Sequence, residues 1–370
     1  MNQIVLERSR IEPVRARGHI VDCDVHITAR SGVDLYPWLS AQWRAHVEKI
    51  GPHVRGGIYN QEPHPRMMAR GMRADSYPEE GGPPGCSLPL LQKQHLDPNG
   101  VEFGMLIALG RGVLEERNQH FAEALSRAIN DWQCERWVDQ DNRLVAAIIV
   151  PQEDAEVAVA EIERRAADRR FKQVLLSPKA QEPLGRKRYW PIYAAAERAG
   201  LPIAFHPAAI GGGHASSGAG APTYYLEEHN TFGTIMQAVL TSLIFEGVFA
   251  RFPKLKVVAV EGGFTWAPAL AWRMDKHWLR LGVEVPHVKR PPSEYLRQNV
   301  WFTTQPMEET RKQAHLRDVI DWLGWDRLMF SSDYPHWDFD DPRHAFKIAL
   351  SEEERAKLFG GNAKAVYGLP

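Results

Sequence analysis

Eight short apolar runs, separated by longer segments with helical periodicity, constrain the fold of this chain more than any other feature of its sequence. The runs are rich in β-branched residues, and from about residue 100 onward they alternate with helical patterns, which is typical of parallel βαβ units. The predicted strands cover residues 19–27, 103–108, 144–150, 173–176, 201–206, 256–261, 300–303 and 328–331.

The segments between these runs predict helices, because apolar residues recur at spacings of three and four, as in Leu240, Leu243 and Ile244. The predicted helices cover residues 115–139, 154–167, 189–199, 231–246, 265–281 and 310–323, with helical C-terminal segments at 351–359 and 363–367. An open doubly wound sheet would usually have fewer strands and a glycine-rich phosphate-binding turn after the first of them. We therefore expect an α/β fold, a (β/α)₈ TIM barrel that forms a single domain over residues 1–370.

Two segments interrupt this rhythm. Residues 51–90 are rich in Gly, Pro, Arg and His, and we expect them to form a lid-like insertion after the first strand. Residues 207–223 have almost pure loop composition and directly follow His206. Because barrel active sites lie where strands end, a loop that covers the site is favoured there over disorder.

Charge and cysteine content limit the function classes. Lys and Arg number 45 against 46 Asp and Glu, so no net field favours nucleic acid or an anionic membrane. We find no secretory signal and no apolar stretch long enough to span a membrane. We therefore expect a cytoplasmic protein that acts on a small molecule as a homodimer or larger homo-oligomer.

The three cysteines, Cys23, Cys86 and Cys134, include no CxxC pair. That count and spacing argue against a disulfide framework and against a cysteine-rich zinc site. Any metal must then be held by histidine and carboxylate side chains.

Candidate metal ligands lie at the ends of three predicted strands. Asp24 and His26 share one face of the first strand because side chains alternate. Alone, such a pair is more often a hydrogen-bonded couple than a metal site. However, His206 ends the fifth strand and Asp333 follows the eighth. We therefore predict one divalent ion held by all four residues, with zinc preferred and manganese as the alternative.

Three further residues near the same strand ends are candidates for proton transfer. Glu261 ends the sixth strand, and two glycines follow it. His229 precedes a predicted helix, and His336 follows Asp333 by three residues. Each could act as a general acid or base, or could instead brace a neighbour of the metal.

Substrate-binding candidates come from arginine and tryptophan. Arg55 and Arg73 lie in the insertion and could bind a substrate carboxylate in bidentate geometry, although solvated surface arginines are common. Trp337, together with Trp266 and Trp301, lies close to predicted strand ends. These rings could line an apolar pocket or only pack the barrel.

Six stretches, in this order and spacing, resemble a known family over nearly the whole chain. They are VDCDVHI, HLDPNGVEFGMLI, LPIAFHP, RFPKLKVVAVEGG, RLMFSSDYPH and GGNAKAVYGL. The chain resembles the amidohydrolase-2 family, the relatives of aminocarboxymuconate semialdehyde decarboxylase. The resemblance implies a (β/α)₈ barrel with one catalytic metal, usually zinc or manganese. The residues at the family's ligand positions are Asp24, His26, His206 and Asp333.

The sequence departs from the family pattern at two positions. Asp24 stands where many members have histidine, and Glu261 stands where decarboxylases of the family often have histidine. The second departure favours hydrolysis narrowly over non-oxidative decarboxylation. In a hydrolase, Asp333 would take a proton from a metal-activated water.

Glu261, with His229 or His336, would then pass that proton to the leaving group. A decarboxylase is the alternative, and a non-catalytic metal-binding or ligand-binding barrel is a third.

Overall fold

A parallel barrel sheet forms the centre of the molecule. The computed structural model describes residues 20–50, 71–108, 113, 116–207, 218–220 and 222–370. Within them, eight parallel strands pair in chain order in one sheet. The strands are β1 (Ile20–Ile27), β2 (Val101–Ala108), β3 (Leu144–Ile149), β4 (Phe171–Leu176), β5 (Ile203–Phe205), β6 (Val257–Ala259), β7 (Val300–Thr303) and β8 (Leu328–Met329).

The helices between the strands cover the sheet. Every residue of β1, β3, β5, β6 and β8 is buried, as expected when side chains pack inside the barrel and under the helices. Among the described residues, the α-helices of five or more residues are Ala41–Ile50, Gln119–Arg136, Ala155–Arg165, Trp190–Ala199, Tyr225–Asn230, Phe232–Phe245, Ala267–Leu281, Pro292–Asn299, Gln313–Leu323, Glu352–Ala356 and Asn362–Tyr367.

The register of β1 is irregular where the predicted metal ligands lie. Asp22 pairs with Gly104, whereas Val25 pairs with Leu106, so β1 carries one extra residue over that interval. A bulge of this kind bends a strand and redirects a side chain, and such bulges are common beside active sites. This bulge lies between Asp22 and Val25, the interval that contains Asp24.

The predicted (β/α)₈ barrel is confirmed, and each predicted strand overlaps an observed one. The predicted helices are present, most of them with shorter ends, but three helices were missed: Ala41–Ile50, Tyr225–Asn230 and Pro292–Asn299. The prediction of a lid stays untested, because residues 51–70 and most of 207–223 lie outside the described residues. In the part of the chain that is described, no helix has the length and apolar character needed to cross a membrane.

Candidate metal centre

The predicted ligands meet at the carboxyl ends of the strands. Asp24 and His26 lie in the second half of β1, and His206 directly follows β5. Asp333 lies four residues beyond the last residue of β8. All four side chains are buried. The barrel therefore brings together residues that are more than 300 positions apart in sequence.

The distances between these side chains define a compact cluster. His26 Nε2 lies 3.1 Å from Asp24 Oδ1 and 2.9 Å from Asp333 Oδ1. His206 Nε2 lies 3.6 Å from Asp24 Oδ2. The rings of His26 and His206 approach edge to face, with centroids 4.8 Å apart. Each residue thus turns a potential ligand atom toward a shared centre.

Glu261 belongs to the same cluster. Its Oε2 lies 3.0 Å from His206 Nε2. Ligand atoms of Asp24, His26, His206 and Glu261 all lie within 4.8 Å of one another, as do those of His26, Asp333 and His336. The geometry therefore adds Glu261 and His336 as possible ligands to the four residues that the sequence predicted.

The chemistry of the buried atoms fits a divalent cation. His26 Nδ1 lies 3.2 Å from the Ile107 carbonyl, so this nitrogen donates and leaves the Nε2 lone pair facing the cluster. Within the described residues, both Asp24 carboxylate oxygens, His26 Nε2 and Asp333 Oδ2 make no hydrogen bond. Buried polar atoms without partners are costly. A cation bound by imidazole and carboxylate groups would satisfy them, and zinc and manganese both accept such ligands.

The pKa values of the cluster follow from burial and neighbouring charge. Burial opposes ionisation of Asp24, yet His26 and His206 outweigh it and hold the pKa of Asp24 well below its usual range. Burial lowers the pKa of His206. At His26 burial is outweighed by the charges of Asp24 and Asp333, which raise the pKa of this residue well above its usual range. Because a metal binds an ionised carboxylate and a neutral imidazole, a bound cation would displace the proton that these carboxylates favour on His26.

The pKa of Glu261 is shifted in the opposite direction to that of Asp24. Burial, with the charges of Asp333 and Asp24, raises the pKa of Glu261 well above its usual range. A bound cation would favour its ionised form, so the two influences on this carboxyl group oppose each other.

Backbone strain is concentrated at two of these residues. Glu261 (φ 54°) and Asp333 (φ 60°) are the two non-glycine residues with positive φ in the described part of the chain. This conformation is unfavourable for residues with a Cβ atom and is typically kept at functional sites. Hydrogen bonds hold both peptides: Glu261 N donates to Thr303 Oγ1, and Asp333 N donates to the Asp24 carbonyl, each at 3.1 Å.

Two further histidines, His336 and His229, were predicted to lie near the cluster. His336 Nδ1 contacts Asp333 Oδ1 at 2.6 Å, and its ring lies 4.5 Å from that of His26. His229 Nε2 lies 3.0 Å from Asp338 Oδ2, which also accepts a hydrogen bond of 2.8 Å from Gln305 Nε2. His336 therefore lies beside the cluster, and each of the two histidines is paired with a carboxylate.

The side chains of Tyr225, His229 and Trp337 form an aromatic wall beside these residues. The sequence analysis did not identify Tyr225. The His229 ring lies 5.7 Å from Trp337 and 5.6 Å from Tyr225. Trp337 Nε1 donates to the Tyr225 hydroxyl at 3.3 Å. Tyr225 went unrecognised because it follows a long loop and lies on a helix of only six residues, Tyr225–Asn230.

The other predicted pocket residues that are described make their own contacts. The Arg73 guanidinium binds Asp75 through two hydrogen bonds and stacks over Phe339, with 4.6 Å to the ring centroid. Trp301 donates to the Asp326 carbonyl just before β8 begins, away from the carboxyl ends. Trp266 donates to the Gly262 carbonyl, one residue beyond Glu261. Contact of Arg73 with a substrate stays a prediction.

One predicted substrate-binding residue cannot be placed. Arg55 lies outside the described residues.

Comparison with known proteins gives one family and a group of decarboxylases. A family model described as amidohydrolase matches residues 21–369. A gamma-resorcylate decarboxylase from Polaromonas sp. (strain JS666 / ATCC BAA-500) is 27% identical over 291 residues, covering 74% of this chain and 85% of the relative.

Solved structures with the same fold include two decarboxylases. A dihydroxybenzoic acid decarboxylase from Polaromonas sp. JS666, with bound manganese and the inhibitor 2-nitroresorcinol, matches with a TM-score of 0.68 and 20% identity, covering 95% of this chain and 97% of that one. A 5-carboxyvanillate decarboxylase from Sphingomonas paucimobilis matches with a TM-score of 0.68 and 23% identity, covering 95% and 99%.

Proposed function

The chain belongs to the amidohydrolase family, whose model matches residues 21–369, and on this basis we propose that it is a metal-dependent decarboxylase of a small aromatic acid. The observation that carries the proposal is the buried cluster of Asp24, His26, His206 and Glu261, with Asp333 beside it. This cluster occupies the end of the barrel where active sites of the fold lie. An enzyme is therefore favoured over a non-catalytic barrel.

We favour decarboxylation over hydrolysis. From the sequence alone, hydrolysis was the favoured reaction. That order depended on one residue, Glu261, in a position where decarboxylases often have histidine. The 27% identical relative is a decarboxylase and aligns over 74% of this chain, which outweighs a single substitution. Zinc was the preferred metal from the sequence, and manganese was the alternative. Manganese is the ion bound in a solved relative, so it is the first probe for metal binding.

Each residue of the site has a distinct task in this proposal. A bound divalent ion would supply positive charge to hold and polarise the oxygen atoms of the acid. His26 and Asp333 keep their ligand atoms 2.9 Å apart, and His336 orients Asp333 by contacting the same carboxylate oxygen at 2.6 Å.

Glu261 is the carboxyl group placed to carry the proton that the reaction requires. The ring carbon gains that proton and loses CO₂, while the electrons of the broken carbon–carbon bond return to the ring.

The aromatic wall of Tyr225, His229 and Trp337 supports a planar ring as substrate. Aromatic side chains pack well against a flat ring, and the hydrogen bond from Trp337 to Tyr225 and the contact of His229 with Asp338 hold the wall in place. Trp337 is 44% exposed, so one part of its ring is accessible from solvent.

Trp337→Ala is expected to raise KM for an aromatic acid by about tenfold with little change in kcat, because it removes binding area without touching the proton carrier. Steady-state kinetics on the purified variant would measure the two constants separately. Trp272→Ala is the matched control, since Trp272 is also exposed but lies on the outer helix Ala267–Leu281. An unchanged KM for Trp337→Ala would remove this ring from the substrate pocket.

A substrate panel tests the reaction itself. Ortho-hydroxybenzoates, lactones and amides are incubated with the manganese-loaded enzyme, and CO₂ release is measured beside acid release. The proposal expects CO₂ from at least one hydroxybenzoate and no acid from the lactones or amides. Acid release from a lactone or amide without CO₂ from any hydroxybenzoate would make the enzyme a hydrolase.

A further inference from the structure

The barrel closes at a seam between β8 and β1 that contains few regular strand contacts. β8 has only two residues, and the seam is joined by a single bridge between Val25 and Tyr334. Backbone hydrogen bonds add Cys23 N to the Phe330 carbonyl (3.0 Å) and His26 N to the Tyr334 carbonyl (2.7 Å). Asp24 and Asp333, the carboxylates of the proposed metal centre, lie on opposite sides of this seam.

Asp22 bridges the seam with its side chain. The residue is fully buried, and its Oδ1 accepts two backbone hydrogen bonds, one from Asp24 N at 3.1 Å and one from Ser332 N at 2.9 Å. Ser332 immediately precedes Asp333. One oxygen atom therefore holds the backbone of a proposed ligand on β1 and the backbone next to a proposed ligand after β8.

His95 fixes the second oxygen of this carboxylate. His95 Nε2 lies 2.6 Å from Asp22 Oδ2, which also accepts a hydrogen bond from the Ser332 hydroxyl. Because a carboxylate only accepts, Nε2 carries the proton, and His95 Nδ1 faces the Asn99 amide nitrogen at 3.1 Å. The Tyr334 ring stacks on His95 with centroids 5.6 Å apart. The orientation of Asp22 is thus set by contacts on every side.

We propose that Asp22 is a positioning residue that sets the separation between Asp24 and Asp333, and thereby the affinity of the centre for a divalent ion. It acts through hydrogen bonds to the backbone and does not itself face the cluster of ligand atoms. The proposal rests on the proposed metal centre, and it predicts that metal binding depends on a group outside the ligand set. Partners that orient metal ligands typically change affinity by about 10- to 100-fold when removed.

Asp22→Asn is the direct test. An amide has one acceptor oxygen in place of two, so the backbone pair or the His95 and Ser332 pair loses its acceptor. We expect the Kd for Mn²⁺ to rise by about 10- to 100-fold, together with a changed electron paramagnetic resonance spectrum of the bound Mn²⁺. Titration of the purified, metal-free protein with Mn²⁺ gives both readouts without any substrate.

A pair of His95 variants keeps the proposal testable if Asp22→Asn does not fold. His95→Gln retains an N–H group that can donate to Asp22, whereas His95→Leu has none. The proposal expects Mn²⁺ affinity to be close to the wild-type value in His95→Gln and reduced in His95→Leu. Equal affinities in the two variants would contradict it.

Asn130→Ala is the matched control for a purely structural role. Asn130 is fully buried, and its amide binds both the N–H and the carbonyl of Ile149 at 2.9 Å. Ile149 ends β3, a strand that carries no proposed ligand. This variant should lower the melting temperature and leave the Kd for Mn²⁺ and the spectrum unchanged.

The outcomes separate this proposal from the proposed function. If Asp22→Asn lowers only the melting temperature, as Asn130→Ala does, Asp22 supports the fold alone and the positioning role is overturned. If the wild-type protein itself takes up no Mn²⁺, the metal centre fails and the proposal fails with it. A weaker Kd and an altered spectrum in Asp22→Asn, with both unchanged in Asn130→Ala, support the positioning role.

Discussion

His206→Ala is expected to reduce the metal content from about one divalent ion per chain to nearly none, and to lower activity by at least ~10³-fold. His206 Nε2 lies 3.0 Å from Glu261 Oε2 and 3.6 Å from Asp24 Oδ2, so it faces the centre of the cluster. A methyl group offers no ligand atom. Elemental analysis after expression with Zn²⁺ and Mn²⁺ supplied would measure the metal in both proteins.

His315→Ala provides the matched control for this measurement. His315 is exposed on the outer helix Gln313–Leu323, so the same substitution should leave metal content and activity at wild-type values. A full complement of metal in His206→Ala would remove His206 from the ligand set. A wild-type protein that carries no metal and takes up neither ion would end the proposal of a metal centre.

The barrel could be predicted from the sequence because its strands are buried on both faces. Such strands are continuous apolar runs, as in LVAAII of β3, and they stand out between amphipathic helices. Helix Pro292–Asn299 was missed because a helix of eight residues is too short to display its periodicity clearly. The predicted sixth strand extended to Glu261, but β6 ends at Ala259, since Glu261 adopts a positive φ.

The positions of the proposed ligands were predictable to the same degree as the strands that carry them. Alternation along β1 gives Asp24 and His26, and the end of β5 gives His206. Asp22 lies two residues before Asp24, but its proposed role depends on a contact with Ser332, 310 residues away, that no local pattern reveals. Positive φ at Glu261 and Asp333 is equally invisible, because non-glycine residues give no local indication of it.

Glu261→Gln is expected to lower kcat by about 10²- to 10⁴-fold while the fold and the metal are retained. Glutamine nearly preserves the shape and polarity of the side chain, but it cannot deliver a proton. Glu261 is buried two residues beyond β6, with its carboxylate in the cluster of ligand atoms. Metal content and kcat, measured on the same preparation of the variant, separate proton transfer from metal binding.

The competing role for Glu261 is to brace or bind the metal. That role predicts different values of kcat and of metal content for Glu261→Gln. In that case kcat should fall only about tenfold, and the metal content should fall with it, because a neutral amide is a weaker ligand than a carboxylate. Glu308→Gln is the neighbouring control: its carboxylate lies 3.4 Å from Thr265 N, on the loop that follows Glu261, and this change should affect neither quantity. Near-normal kcat with full metal in Glu261→Gln would take this residue out of the mechanism. The proton would then have to come from His229 or His336, the two histidines that contact Asp338 and Asp333.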